Sequence, residues 1–195
     1  VYEGDTYFGF FTREQLAQQV GLRELPRIEP DPAIPADERW HGEYPESPPF
    51  PGKMLRMIEQ IELYQPRGGT HSLGWIRGVK QVRPEEWFFK AHFFQDPVWP
   101  GSLGLEAFLQ LLKVIAGGRW GPPREAGSFS LAPGTTPQWV YRGQVIPGHE
   151  RVVVEANVDE VDEARRWIRG SGYLGVDGRW IYQMSNFTLE GSNVD

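Results

Sequence analysis

The sequence contains no cysteine, so disulfide bonds and catalysis by a thiol are excluded. It has no apolar run close to the roughly 18 residues that a membrane-spanning helix requires. Residues 1–11 lack a basic leader ahead of an apolar stretch, so we expect no signal peptide, no membrane association and a cytoplasmic location. Positive charge is also scarce. The formal net charge is −6 at pH 7, which argues against a nucleic-acid-binding surface.

Histidine is scarce as well, and this bears on metal binding. The chain has four His residues, and none shows a metal-ligand spacing such as HExxH. We therefore expect no metal site, and we expect His71 and His149, each in a predicted turn, to lie at the surface.

Glycine, proline and aromatic residues are abundant instead. The 23 Gly and 17 Pro predict many turns and short strands rather than a helical bundle. Eight Trp and eleven Phe, in a chain that is 39% hydrophobic, are enough for a real core. Proline clusters between Leu25 and Pro51, where neither a long helix nor a central strand is expected. This stretch is predicted to be a linker or an extended wrap around the domain.

Three units are predicted along the chain. Residues 1–22 form a strand–helix extension, in which Thr12 and Gln15 have the spacing of a capping box. Residues 23–50 form the proline-rich linker, and residues 51–191 form the folded domain. The sequence does not begin with Met, so we expect a piece of a longer protein, whose first unit could be the tail of a preceding repeat.

Along the chain, predicted strands come before and after one long predicted helix. Apolar residues at helical spacing predict a buried helix over Leu103–Ala116, ended by Gly117-Gly118. Trp87–Phe94 is typical of a strand, and Asp177-Gly178 predicts a hairpin turn. Other strands are predicted at Gly74–Val82, Trp139–Val145, Arg151–Val158, Trp167–Val176 and Arg179–Leu189, with Met54–Tyr64 beginning as a helical turn and continuing as a strand. The simplest architecture is an α+β fold with an antiparallel sheet wrapped around one long helix.

Two residues in this pattern suggest chemistry. His92 lies in the apolar run, and Glu106 follows fourteen residues later in the first turns of the helix. An ionised Glu among apolar neighbours is costly to bury, and fold stability alone rarely requires one. On residue types alone, a core histidine and a solvent-facing glutamate are an equally good interpretation.

The dehydration of a 3-hydroxyacyl thioester needs these two groups. A base removes the α-proton and an acid protonates the departing hydroxyl; a neutral His suits the first step and a carboxylic acid in an apolar site the second. Pro100-Gly101 leads into the helix, where free backbone N–H groups can stabilise the thioester oxygen as it gains charge.

The segment HFFQDPVWPGSLGLEAFLQLL closely resembles the active-site segment of the FabA-like 3-hydroxyacyl-ACP dehydratases. The family pattern is a His, then G-D-P-V-M-P-G, then a helix with an acid fourteen residues after the His. A weaker resemblance extends from about Phe50 to Glu190 and includes GQVIPG and DGRWIY. The chain is similar in particular to dehydratase domains of multidomain polyunsaturated fatty acid synthases and related polyketide synthases.

The resemblance implies a hotdog fold in which the His of one unit faces the acid of a partner unit, in a homodimer or pseudo-dimer. It implies adjacent synthase domains as partners, no cofactor, and a substrate carried on the phosphopantetheine arm of an acyl carrier protein. It assigns His92 as the base and Glu106 as the acid. Gly101 would provide the oxyanion N–H, Val98 a carbonyl that orients the imidazole, and Gln110 a contact that holds the carboxylate.

Two departures from the family pattern affect the expected activity. Trp99 replaces Met and is expected to reshape the acyl tunnel. The acid is Glu106, as in simple dehydratases, where the bifunctional dehydratase/isomerases have Asp, so isomerisation of the double bond stays open. The main expectation is dehydration to the trans-2-enoyl thioester. The alternatives are a hotdog acyl thioesterase and a non-catalytic hotdog module for dimerisation or acyl binding.

Overall fold

The computed structural model describes residues 12, 14–15, 18–46, 50–121 and 129–191. The strand predicted at residues 1–11 lies outside the described residues. Within the described part of the chain, no helix combines the length and the apolar character needed to cross a membrane.

Within these residues, eight antiparallel strands form one sheet around a long helix. The elements are β1 (Trp40–Glu43), β2 (Gln60–Gln65), β3 (Trp75–Gln81), α1 (Trp87–Ala91), α2 (Gly101–Trp120), β4 (Phe129–Leu131), β5 (Gln138–Tyr141), β6 (Arg151–Asp162), β7 (Trp167–Val176) and β8 (Arg179–Gly191). The strand order is β1-β2-β3-β6-β7-β8, and both β4 and β5 pair with β8. This arrangement confirms the predicted α+β hotdog fold.

Helix α2 supplies the centre of the core and packs against β3, β6, β7 and β8. Its 20 residues span about 30 Å, and the apolar residues that face the sheet, among them Phe108, Leu111 and Leu112, are fully buried. Close approach to the sheet depends on small residues. A Cβ at Gly104 would lie 2.2 Å from the Tyr182 ring, so no larger residue fits there without a shift.

The predicted end of this helix was wrong. The helix continues through Gly117-Gly118 to Trp120 and ends at Gly121, whose φ of +84° is a left-handed conformation. Glycine costs only about 1 kcal/mol inside a helix. The packing of the preceding three turns against the sheet therefore outweighs two glycines.

The strand predictions after the helix were close. Trp167–Val176 is observed with the predicted bounds, and the strand before it extends to Asp162. Asp177 and Gly178 both have positive φ, at +48° and +78°, as a type I′ hairpin turn requires.

The proline-rich segment lies against the sheet. Residues 40–43 form β1 at the sheet edge, paired with β2. Further back, the guanidinium of Arg27 contacts the buried carboxylate of Glu155 on β6, and Asp31 exchanges two hydrogen bonds with the side chain of Gln65. The described part of residues 23–50 is thus an extended wrap joined to the domain. The division into three units stays a prediction.

The end of the first predicted unit also contacts the sheet. The capping box is present, since the Thr12 amide donates to Gln15 Oε1 at 2.8 Å and the Gln15 amide donates to Thr12 Oγ1 at 3.2 Å. Gly21 has the left-handed φ of +70° expected at the close of a short helix. The next amide, that of Leu22, donates to the carbonyl of Trp180 on β8 at 2.8 Å.

Candidate active site

His92 follows the short helix α1 as its C-terminal cap, and its amide donates to the Phe88 carbonyl at 2.9 Å. The prediction of a strand over Trp87–Phe94 was wrong. A short apolar run has no decisive periodicity, and here Phe88 and Phe89 bury their rings from one helical turn.

The imidazole of His92 is oriented by a backbone carbonyl. Its Nδ1 lies 3.0 Å from the carbonyl oxygen of Val98, the contact that the resemblance assigns to Val98. With the proton on Nδ1 donated to that carbonyl, Nε2 is left with a free lone pair and can act as a base. A second bond, from the Val98 amide to the His92 carbonyl at 2.8 Å, closes the loop between them.

The loop between His92 and Val98 presents aromatic side chains to solvent. Phe93 stacks on the imidazole with ring centroids 3.8 Å apart and is 56% exposed. Its neighbour Phe94 is 88% exposed. Large apolar groups exposed together are typical of a surface that contacts another molecule.

Glu106 lies on the second turn of α2, half-buried, and is held by Gln110. The Gln110 Nε2 donates to Glu106 Oε1 at 3.0 Å, as the resemblance predicts for these two positions. Gln110 itself is fully buried. Its Oε1 accepts from the amides of Met57 and Ile58, and its Nε2 also donates to the carbonyl of Leu55. The side chain that holds the carboxylate is therefore itself fixed, through both the oxygen and the nitrogen of its amide group.

The N-terminus of α2 lies after Pro100. The amides of Gly101 and Ser102 have no acceptor among the described residues, and no side chain caps this end. Free N–H groups at the positive end of a helix dipole can stabilise a developing oxyanion. A Cβ at Gly101 would lie 2.5 Å from the Trp139 ring, so glycine is required here by a close aromatic neighbour.

Trp99 is in the core. Its side chain is 1% exposed and packs on Phe88 with ring centroids 4.7 Å apart. Its indole Nε1 is buried and has no acceptor among the described residues. A contact between this side chain and an acyl chain stays a prediction.

His92 and Glu106 are not in contact within the single chain. Among the described residues, no nitrogen–oxygen pair within 4.0 Å joins them. Each is held separately, the imidazole by Val98 and the carboxylate by Gln110. This separation is compatible with a site completed by a second hotdog unit.

Three residues near the site were not predicted from the sequence: Lys113, Tyr44 and Trp139. Lys113 could have been found, since seven residues after Glu106 is the same face of a helix. Tyr44 follows β1 in the proline-rich segment, and its hydroxyl donates to the Gln110 carbonyl at 3.2 Å. Burial, and secondarily the charge of Glu106, raises the pKa of Tyr44. No sequence pattern linked Tyr44 or Trp139 to the site.

The other described side chains show no site for a metal. Within the described ranges, no group of three or more His, Asp or Glu residues is placed to hold an ion. His71 is exposed in its turn, as predicted. His149 was also expected at the surface but is half-buried; its Nδ1 accepts from the Ile146 amide at 3.1 Å, and burial lowers its pKa.

The fold and the separately held His and Glu define a hotdog domain with the groups of an acid–base site. Residues 50–185 match the family model of the FabA-like domain, and the chain belongs to this family. Family membership supports a hydro-lyase reaction in general.

Two similar proteins agree with this assignment. The chain is 31% identical over 216 residues to one subunit of the polyunsaturated fatty acid synthase of Thraustochytrium sp. (strain ATCC 26185 / S-3). That match covers 96% of this chain and 14% of the relative, so the chain spans about one seventh of the relative's length. Among solved structures, the dehydratase heterocomplex ApeI:P from Xenorhabdus doucetiae shares the fold, with a TM-score of 0.54, 15% identity, and coverage of 74% of this chain and 88% of that one.

Proposed function

We propose that the chain dehydrates a 3-hydroxyacyl thioester carried by an acyl carrier protein, and that it works within a synthase for polyunsaturated fatty acids or polyketides. The observation that carries this proposal is the contact between His92 Nδ1 and the Val98 carbonyl, just before the uncapped start of α2. This contact orients the imidazole of His92 so that its Nε2 can act as the base, and it supports the role that the resemblance assigns to this residue.

The reaction uses three groups. His92 Nε2 removes the proton from C2, and the electron pair moves into the thioester, whose oxygen is stabilised by the Gly101 N–H. The carboxyl of Glu106 gives its proton to the hydroxyl on C3, which leaves as water while the C2–C3 double bond forms. The protonated His92 and the Glu106 carboxylate then exchange a proton with solvent and return to their starting forms.

A second hotdog unit is part of this proposal. The half-buried or exposed positions on one face of α2 are Ser102, Leu105, Glu106, Leu109, Lys113 and Gly117. A partner unit covering this face would bring its own histidine towards Glu106. The exposed Phe93 and Phe94 would be covered as well, which supports a homodimer or pseudo-dimer.

The remaining parts of the proposal are the location and the product. We place the protein in the cytoplasm, with adjacent synthase domains and an acyl carrier protein as partners. The product is the trans-2-enoyl thioester, and isomerisation to the cis-3 form is not part of the proposal.

The test is an assay of a 3-hydroxyacyl-pantetheine thioester by mass spectrometry, following both loss of water and release of free acid. We expect dehydration by the wild type and a loss of at least about a hundredfold for His92→Ala and for Glu106→Gln. The matched control is His71→Ala, which removes an exposed His and should keep wild-type activity.

Two outcomes would contradict the proposal. Release of free acid as the main product would indicate a thioesterase. Tight binding of the thioester with no turnover on several chain lengths would indicate a non-catalytic acyl-binding module.

A further inference from the structure

Lys113 lies on the same face of α2 as Glu106, two turns further along. Seven residues correspond to a rise of about 10 Å, and helical side chains lean towards the N-terminus, which shortens the gap. The Lys113 Nζ reaches back to within 3.8 Å of Glu106 Oε1. Both side chains are half-buried, with exposed fractions of 20% for Lys113 and 28% for Glu106.

Lys113 and Gln110 approach the same oxygen of the carboxylate. Gln110 Nε2 donates to Oε1 at 3.0 Å, and the Lys113 ammonium faces that same oxygen. The second oxygen, Oε2, has no donor among the described residues. One hydrogen bond and one nearby positive charge on the same oxygen favour a single rotation of the carboxyl group and leave the other oxygen open.

The other titratable groups that interact with Glu106 come from the segment that covers α2. Burial raises the pKa of Tyr44, the charge of Glu106 raises it further, and the charge of Arg56 opposes this. Arg56 is itself paired with Glu46, at 2.7 Å. Within the described ranges, Lys113 is therefore the cation that lies within 4.0 Å of the Glu106 carboxylate.

We propose that Lys113 is a positioning residue for Glu106: together with Gln110 it holds Oε1, so that Oε2 faces the hydroxyl that leaves as water. This inference rests on the proposed function, in which Glu106 supplies the proton. The ammonium does not contact the reacting atoms. Its positive charge, 3.8 Å from Oε1, sets the rotamer of the acid.

A half-exposed ion pair contributes little to folding stability. Its removal should therefore change the reaction and leave the fold intact. Lys113→Met keeps the length of the side chain and removes the charge, and Lys113→Arg keeps the charge. The matched control is Arg165→Met, which removes an exposed Arg 3.7 Å from Asp162, on the turn between β6 and β7.

The test measures kcat and KM for the full chain and these variants. For Lys113→Met we expect kcat to fall about tenfold with KM within about twofold, because the acid is less well oriented. Lys113→Arg should restore most of the lost kcat, and Arg165→Met should match the wild type.

A readout that does not depend on turnover separates this inference from the proposed function. Carboxyl-carbon NMR, with the Glu106 signal assigned by its loss in Glu106→Gln, reports on the surroundings of this group directly. We expect the Glu106 signal to move in Lys113→Met, where the carboxyl group is less well oriented, and to stay in place in Lys113→Arg and Arg165→Met.

The inference is overturned if the kcat and the Glu106 signal of Lys113→Met both match those of the wild type. It is also overturned by a fall in kcat that Lys113→Arg does not restore, since that is the result of a purely structural role. If the wild type itself does not dehydrate the thioester, the proposed function fails, and the Glu106 signal still decides whether Lys113 positions Glu106.

Discussion

The residues of the site are fixed by partners of different kinds. His92 is held by one backbone carbonyl at the end of a short helix, where the next residues are exposed. Glu106 is held by Gln110, whose amide is shared among two backbone N–H groups, a carbonyl and the carboxylate. Gln110 thus couples the acid to the segment before β2. The position of the acid and the stability of that segment should respond together when Gln110 is changed.

Replacing Gln110 with Leu tests this coupling. The change leaves the amides of Met57 and Ile58 buried without an acceptor, and we expect the free energy of unfolding to fall by at least about 2 kcal/mol. Urea unfolding followed by fluorescence measures this. The control is Gln60→Leu at an exposed position of β2, which should change stability by less than about 0.5 kcal/mol. Equal stability of the two variants would mean that the buried amide network contributes nothing.

At the scale of elements, the end of α2 depends on backbone conformation rather than on the presence of glycine. Gly117 lies in helical backbone, and a Cβ there would meet the Phe50 ring at 3.9 Å, an ordinary contact. Gly121 has a φ of +84° and has open space around its Cβ position. The two glycines therefore differ in conformation and not in crowding.

The pair Gly117→Ala and Gly121→Ala separates these effects. Gly117→Ala should raise the free energy of unfolding by up to about 1 kcal/mol, because alanine loses less backbone entropy in a helix. Gly121→Ala should lower it by about 1 kcal/mol or more, because alanine is strained at positive φ. Thermal unfolding of both variants gives the comparison. The same sign of change in both would show that the helix does not end where the structure places it.

The elements also show what could be predicted from the sequence. The buried helix, the Asp177-Gly178 hairpin and the strands around it follow from periodicity and turn chemistry, which act locally. Helix α1 could not be predicted, because five aromatic-rich residues carry no distinct period. The contacts of Glu106 with Gln110 and Lys113 follow helical spacing, but which oxygen they share depends on side-chain rotamers. Tyr44 reaches the site through the path of the proline-rich segment, which no local pattern defines.

At the scale of the whole molecule, the single chain holds His92 and Glu106, the proposed base and acid, without bringing them into contact. The half-buried face of α2 and the exposed Phe93 and Phe94 leave room for another unit on the side of the site. We expect each complete site to take its base from one unit and its acid from the other.

Mixing two inactive variants tests this arrangement. His92→Ala and Glu106→Gln chains, unfolded together and refolded, should form hybrids in which one site has both intact residues. At equal amounts we expect about a quarter of the wild-type activity, since half of the dimers are hybrids with one working site each. The same variants refolded separately are the control. No recovery in hybrids shown to form by native mass spectrometry would place the base and the acid of each site in the same unit.

The buried carboxylate of Glu155 and its two arginine partners limit where this chain can be shortened. Glu155 is 2% exposed and is bonded both by Arg77 from the neighbouring strand and by Arg27 from the wrap. A fragment beginning at Pro51 would lose both β1 and Arg27. Glu155 would then keep only Arg77 as a partner, on a sheet face that is no longer covered. We therefore expect the smallest independently folding piece to begin before Arg27, with the proline-rich stretch stabilising the domain rather than only connecting it to a neighbour.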